Sequence, residues 1–385
     1  MLTSQRFRII GSAIFGLSLS VLILMPKSRD EVQTTLRPDE HLNKLVDLLI
    51  INQQREEKII QKKIWSTNRI IHERFKWLQH KTVFNHLLTP NLKTSKSSIM
   101  VFLHLPRSAG IEIKKCLKEI GRNYSLLLFP DLSDQQRVLW DASHQLTYGY
   151  REGFDAHMGM NLFGLCNTIK RPCSYFTVIR QPLERAVSSY FHCLQSLSDP
   201  HCSAVNANDM DLRSWVIFQG SIFFRSLLFN SAHCQNKINV TSLDFNLLNT
   251  KNVPCWLKQK IWFDSLPDAD HRILLDYVLD HLEMWFSGVG MTEDMLSTVY
   301  VLESVYSLPF TSCSNLNQKN RNEQWKARVE GNSVNLGEKD VSKYEEFVDL
   351  QYDYSVQKAL HADYKLFEKI NDIFRRQKQL LFNKI

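Results

Sequence analysis

The sequence predicts an α/β domain, a parallel sheet flanked by helices, preceded by an N-terminal transmembrane helix and a helical stem. Three observations carry this. An uncharged apolar run, IIGSAIFGLSLSVLILM, lies close to the N-terminus. A polar stretch with few Gly or Pro residues follows it. Beyond that, two short apolar runs each give way to a tight turn and then to a helical pattern, the strand-turn-helix order of a parallel sheet. The composition agrees: 385 residues, 44% hydrophobic and 11% aromatic, supply one large core and exclude a disordered chain.

The apolar run, residues 9–26, sits at the lower end of the length that crosses a bilayer. A cleaved signal peptide is the rival reading, but the run closes on Leu24-Met25-Pro26-Lys27 and offers no small-x-small site. A short tail, residues 1–8, before a long C-terminal part places the tail in the cytosol and the rest in a lumen. The sequons Asn123-Tyr124-Ser125 and Asn239-Val240-Thr241 fit a lumenal body glycosylated at Asn123 and Asn239.

Residues 27–97 read as a stem and residues 98–385 as the globular domain. Within the stem, Leu42, Val46, Leu49, Ile60 and Ile64 form a partial helical stripe that Gln53 and Glu56 interrupt. Two arrangements stay open: a coiled coil that makes a homo-oligomer, or a helix packed on its own domain. Residues 89–98 are a polar, basic linker. In the domain, residues 99–105 are a buried-strand candidate, and residues 111–120 a helix. Residues 175–179 and 183–193 repeat the unit, and residues 341–385 are a mostly amphipathic helical end.

A net charge of +7 points to anionic partners: nucleic acid, a membrane surface, a nucleotide or an acidic polysaccharide. The 8 cysteines contain no Cys-x-x-Cys pair, and no His-Glu-x-x-His occurs, which argues against a structural zinc or zincin site. Cys193/Cys202 and Cys234/Cys255 could close loops in an oxidising compartment.

Chemistry concentrates in the two turns. After a strand and before a helix, Leu105-Pro106-Arg107-Ser108-Ala109-Gly110 can point free backbone N–H groups at an anion, with the helix dipole, the Arg107 charge and the Ser108 hydroxyl in support. The Gly-x-x-x-x-Gly-Lys pattern of a kinase-type loop is missing, as is an acidic magnesium ligand after a strand. In the second turn, Arg180 opens a helix and Ser188 lies two turns along, so both could face one crevice, with Arg180 forked onto a phosphate. The plainer reading is a surface Arg180 paired with Glu184.

FLHLPRSAG and YFTVIRQPLERAVSSYF together resemble the two donor-binding motifs of the Golgi heparan sulfate sulfotransferases, most closely the 2-O-sulfotransferase group. Arg180, Pro182, Glu184, Arg185, Ser188 and Tyr190 fall in register with the second motif, and FSGVGMTEDMLSTVYVLES is similar to a third family segment. The resemblance implies a P-loop NTPase-like parallel sheet in a single-pass type II Golgi membrane enzyme. It implies transfer of a sulfuryl group from PAPS (3′-phosphoadenosine 5′-phosphosulfate) to an acidic glycan, heparan sulfate or a related glycosaminoglycan, at uronic acid 2-O. It gives no part to nucleic acid and needs no metal.

Residue by residue, Arg107 stands where the family has its catalytic Lys, and Ser108, Ala109, Gly110 and Ile111 would line the 5′-phosphate. Arg180 and Ser188 would hold the 3′-phosphate. His157 matches the general base, a residue type whose pKa suits that task; His104 packs. Lys319, in the basic stretch SNLNQKNRNEQWKAR with Arg321, Lys326 and Arg328, would contact the cofactor. Cys193–Cys202 and Cys234–Cys255 match the family's disulfides. The chain departs from the pattern in carrying Arg107 for Lys, Ile111 for Thr and Gln181 for Asp. Those departures keep two alternatives: a catalytically impaired relative that binds glycan or a partner, and an enzyme directed to 6-O or to chondroitin or dermatan.

Overall fold

A computed structural model describes residues 46–55, 67–78, 98–128, 154–169, 171–196, 199, 201–202, 205–235, 254–313 and 345–382. The expected membrane anchor, Asn239, Lys319 and its basic stretch lie outside the described residues. Among the described residues no helix is long and apolar enough to cross a membrane. The chain divides into two compact units, Met1–Lys62 and Lys63–Ile385; in the first, residues 46–55 form a helix.

The second unit is built on the parallel sheet that the sequence predicts. Strands β1 (Ile99–Leu103), β2 (Ala156–Gly159), β3 (Cys173–Ile179) and β4 (Phe286–Met291) pair in the order β2-β1-β3-β4, all parallel. IMVFL and CSYFTVI are buried at every position, which suits central strands covered on both faces. Phe102 stacks on Phe176 with ring centroids 4.9 Å apart, joining the two central strands through one layer of core.

The helices flank this sheet. In chain order they are α1 (Gly110–Tyr124), α2 (Leu165–Ile169), α3 (Pro182–Gln195), α4 (Leu212–Gln219), α5 (Ile222–Leu227) and α6 (Ser231–Gln235). Then come α7 (Cys255–Asp264), α8 (Asp268–Trp285), α9 (Met295–Tyr306), α10 (Glu345–Tyr352) and α11 (Tyr354–Phe382). Asn123 is exposed in the last turn of α1.

Helix α9 approaches β4 closely because Gly290 has no side chain: a Cβ there would sit 2.2 Å from Thr298 Cγ2. Helix α11 presents Val356, Leu360, Leu366, Ile370, Ile373 and Phe374 as a buried stripe. Asp363 and Gln377 interrupt that stripe and are buried too. Gln377 Oε1 accepts from Val289 N at 3.2 Å and its Nε2 donates to Ser287 O at 3.3 Å, so the helix satisfies the free edge of β4.

Residues 67–78, assigned to the stem by sequence, pack into the globular unit. Ile71, Phe75 and Leu78 join the main core, and Arg74 forks onto the buried carboxylate of Asp270, Nη1 donating to Oδ1 at 2.7 Å. Apolar residues at helical spacing there serve the chain's own core, so the globular unit starts before residue 98.

All 8 cysteines are paired. Cys193–Cys202 and Cys234–Cys255 stand as expected, and Cys116–Cys313 and Cys166–Cys173 join them. Cys116–Cys313 spans 197 residues and pins α1 to the 3-10 turn after α9, whereas Cys166–Cys173 spans 7. Loop-closure entropy grows with the logarithm of loop length, so removing the long bridge is expected to cost about 5 kcal/mol and the short one about 2 kcal/mol. Urea unfolding of Cys116→Ser/Cys313→Ser and Cys166→Ser/Cys173→Ser variants checks that order.

Candidate anion site at the carboxyl edge of the sheet

Strands β1 and β3 are direct neighbours, with Leu103 opposite Thr177. The Thr177 hydroxyl also donates to the Leu103 carbonyl at 2.9 Å. The turn after β1 and the turn after β3 therefore leave the sheet side by side, at the edge where open α/β sheets bind ligands.

The first turn is strained. Arg107 has φ 66° and Ala109 φ 55°, both left-handed and neither a glycine. Each such L-residue costs roughly 1–2 kcal/mol, a cost that recurs where backbone amides are shaped around a ligand. Ser108 N donates to Leu105 O at 3.3 Å, and Ala109 caps α1 with no side-chain hydrogen bond. Ala109 offers no side-chain acceptor to the first N–H groups of this 15-residue helix, whose positive dipole end favours an anion. Beside them the Ser108 hydroxyl is fully buried and has no hydrogen-bond partner. Gly110 is required by close approach, since a Cβ there would lie 1.7 Å from the His104 ring.

A hydrogen bond ties the first turn to the helix that follows the second. Arg107 Nε donates to Ser188 Oγ at 3.2 Å, and Ser188 is fully buried on α3. The structure therefore brings Arg107, Ser108, Ala109, Gly110 and Ser188 together. Ile111 follows on α1 with its side chain 56% exposed.

Arg180 pairs with Glu184, Nε to Oε2 at 3.2 Å, as the plainer reading expects. It also lines a small cavity of about 10 Å³ together with Leu105, Arg185, Phe223 and Asp363. Gln181 fills the helix-capping role: its Oε1 accepts from Glu184 N at 2.7 Å, and Pro182 follows in the first turn. Glu293, from the third matching segment, accepts from Gln181 N at 2.8 Å and braces the turn from the β4 side.

Below the cavity lies buried charge. Arg185 is fully enclosed; its Nη2 reaches Gly220 O at 3.5 Å, while Nε and Nη1 have no hydrogen-bond partner. Burial pulls its pKa down to about 10, against the opposing pull of Asp363. Burial raises the Asp363 pKa, while Arg185 and the Phe223 and Phe224 amides, at 3.1 and 2.8 Å, act to lower it. Arg225 is buried as well and donates to Gln219 O at 2.6 Å. Asp363 acts on both buried guanidinium groups, and Asp264 acts on Arg225 as well.

His157 lies inside β2, opposite Val101 and two residues back from the strand end, with no exposed surface. His104, at the end of β1, is lowered to about 3 by burial, then by the Lys114 charge. His201 is lowered to about 4 by burial, then by Arg185. His192 Nε2 contacts Asp199 Oδ2 at 3.0 Å. Burial raises the Asp199 carboxyl, but the hydrogen bonds from His192 and from His201 N outweigh it and hold the group below its ordinary value. His192, Asp199 and Cys202 cluster within 4.8 Å, yet the Cys202 sulfur is committed to Cys193 and is lost as a metal ligand.

Sequence reasoning assigned no role to Arg185, Asp363 or the His192–Asp199 pair. Asp363 did carry a signal, an acidic residue at a core-facing position of an amphipathic helix. The pair joins residues on either side of a chain reversal, which no periodicity marks. No protein-family model matches this chain, and no curated protein matches it.

The buried histidines set a pH dependence. Their folded pKa values lie below the ordinary 6.5, so the unfolded chain takes up protons first as pH falls. Stability is fully present above about pH 6.5 and falls as pH drops toward 4, by at most about 1.4 kcal/mol per pH unit for each histidine. Urea midpoints at pH 7.5 and 5.0 measure this, and His201→Gln is expected to reduce the difference.

Proposed function

We propose that this chain is a PAPS-dependent carbohydrate sulfotransferase, acting on a hydroxyl of an acidic glycan of the heparan sulfate type, with uronic acid 2-O as the preferred position. One observation carries the reading: Arg107 and Ser188, from the two motifs that resemble the donor-binding segments, are hydrogen-bonded at the shared carboxyl edge of β1 and β3. The strained turn, the open α1 terminus and the buried, unpartnered Ser108 hydroxyl fit a 5′-phosphosulfate. Arg180 and Ser188 would take the 3′-phosphate. The notch itself is only water-sized, so a nucleotide would lie across the edge above it.

The transferred group would come from the donor, and this chain's residues would bind and orient it. Arg107 would sit where negative charge grows on the departing phosphate, a role that fixed cationic groups serve well. Four buried disulfides agree with a secretory compartment, and a Golgi membrane enzyme of type II orientation is the proposed setting.

A second reading, donor or glycan binding without transfer, draws on Arg180 being paired to Glu184 and on Ile111 standing where the related pattern has a hydroxyl. Calorimetry with adenosine 3′,5′-bisphosphate, then labelled PAPS with a glycan panel, separates the two. Micromolar binding with sulfate incorporation into heparan sulfate is expected. Arg107→Ala and Arg180→Ala should each weaken bisphosphate binding by about 10- to 100-fold, the loss of one charge-assisted contact. Bisphosphate binding without incorporation, or glycan binding with no bisphosphate affinity, would favour the second reading; binding of neither bisphosphate nor glycan would overturn both.

A further inference from the structure

The helix that begins at the Arg107 turn sorts its charges by face. At about 100° per residue, Lys114, Lys115, Lys118 and Arg122 fall within one arc of about 100° on α1, and Glu112 and Glu119 lie together beside it. The opposite side of the helix is buried in the core. Lys115, Lys118 and Arg122 are exposed, and among the described residues no carboxylate pairs with any of the three. Lys114/Lys118 and Lys118/Arg122 are like-charged pairs four residues apart, an arrangement that weakens a helix. Arg122 Nε donates to the Lys118 carbonyl at 3.3 Å, a bond that leaves its Nη groups unused. The core contacts of α1 do not call for these cations, so their alignment needs another reason.

We infer that this face of α1 is a docking track for the acceptor, a linear acidic polysaccharide that leaves the transfer point at Arg107 and runs along the helix. This inference rests on the sulfotransferase reading above and deepens it. Three observations support it. The track is continuous with the site: α1 starts directly after the Arg107 turn, and the Lys114 charge acts on His104 at the end of β1. It is long enough, since Gly110 to Arg122 covers about 18 Å of helix, more than a disaccharide unit. It is also rigid. Cys116–Cys313 pins α1 to the 3-10 turn after α9, so the cations are held in line before a ligand arrives.

A polysaccharide fits this face better than a membrane does. Lys114, Lys118 and Arg122 place one cation about every 6 Å along a line one helix wide, matched to acidic groups that recur along a chain. A helix that lies on lipid carries large apolar residues beside its cations. Of the exposed large apolar side chains of α1, Ile111 lies on this arc and Tyr124 on the other side. Each contact is solvent-exposed and screened by salt, so the track works through several weak contacts at once. Its effect therefore falls on the affinity for long chains, and the transfer step itself is untouched.

The experiment compares the wild type with Lys115→Ala/Lys118→Ala/Arg122→Ala in the disulfide-intact chain. Alanine is the better helix former, so this variant is expected to fold, as circular dichroism checks. Lys358→Ala/Lys365→Ala/Arg375→Ala, on an exposed face of α11, removes the same charge elsewhere and is the control. For the α1 variant, heparan sulfate affinity by calorimetry is expected to fall about 10-fold or more, with a slope against log salt shallower by about 2. KM for the polymer should rise in step, while kcat and adenosine 3′,5′-bisphosphate affinity stay within about twofold. The control should match the wild type. Undiminished glycan affinity in the α1 variant, or an equal loss in the control, overturns this inference and leaves the sulfotransferase reading standing. Lost binding to phosphatidylserine vesicles with glycan affinity intact overturns it as well, in favour of a lipid surface. Glycan binding through α1 without bisphosphate affinity or transfer keeps the track and overturns that reading. A wild type that binds neither bisphosphate nor glycan overturns both.

Discussion

Two parallel strands that lie side by side must release their chains at the same edge of the sheet, and everything proposed here depends on that constraint. β1 and β3 are such a pair, held in register through Leu103 and Thr177. Each is followed by a helix that starts at the edge, so the positive ends of two helix dipoles converge. The Arg107–Ser188 hydrogen bond closes the remaining gap. Without the adjacency of the strands, the same two sequence motifs would be unrelated surface turns.

Positive charge at this edge is concentrated and partly enclosed. Arg185 and Arg225 are buried near Asp363, which in turn accepts two amide hydrogens at the start of α5, and Asp264 also acts on Arg225. Enclosing a guanidinium with unsatisfied N–H groups is costly, and the carboxylate offsets only part of that cost. Such an arrangement is destabilising in isolation and favourable toward an incoming anion. The left-handed Arg107 and Ala109 add local backbone strain to the turn after β1. The C-terminal helix α11 underpins both features, carrying Asp363 toward the arginines and Gln377 to the edge of β4.

Much of the fold was legible because its signals are local. Residues 99–105 and 175–179 are short, mostly apolar runs that each give way to a tight turn, and the strands Ile99–Leu103 and Cys173–Ile179 fall there. The amphipathic period of the C-terminal region likewise announced α11. What stayed hidden depends on contacts remote in sequence. Cys116–Cys313 joins residues 197 apart, and eight cysteines allow too many pairings for spacing to choose one. For the stem, a coiled coil and a helix packed on its own domain both stayed open, because the two show the same stripe; residues 67–78 pack into the core. His157 matched a position in a motif, and three dimensions add that it is fully enclosed within β2.

The most direct test of a shared anion site is a crystal structure with adenosine 3′,5′-bisphosphate bound. One phosphate is expected against the amides of Ala109 to Ile111 with Arg107 beside it, and the other against Arg180 and Ser188, so that a single ligand bridges both turns. A bisphosphate bound elsewhere, or one that touches only one of the two turns, would contradict it.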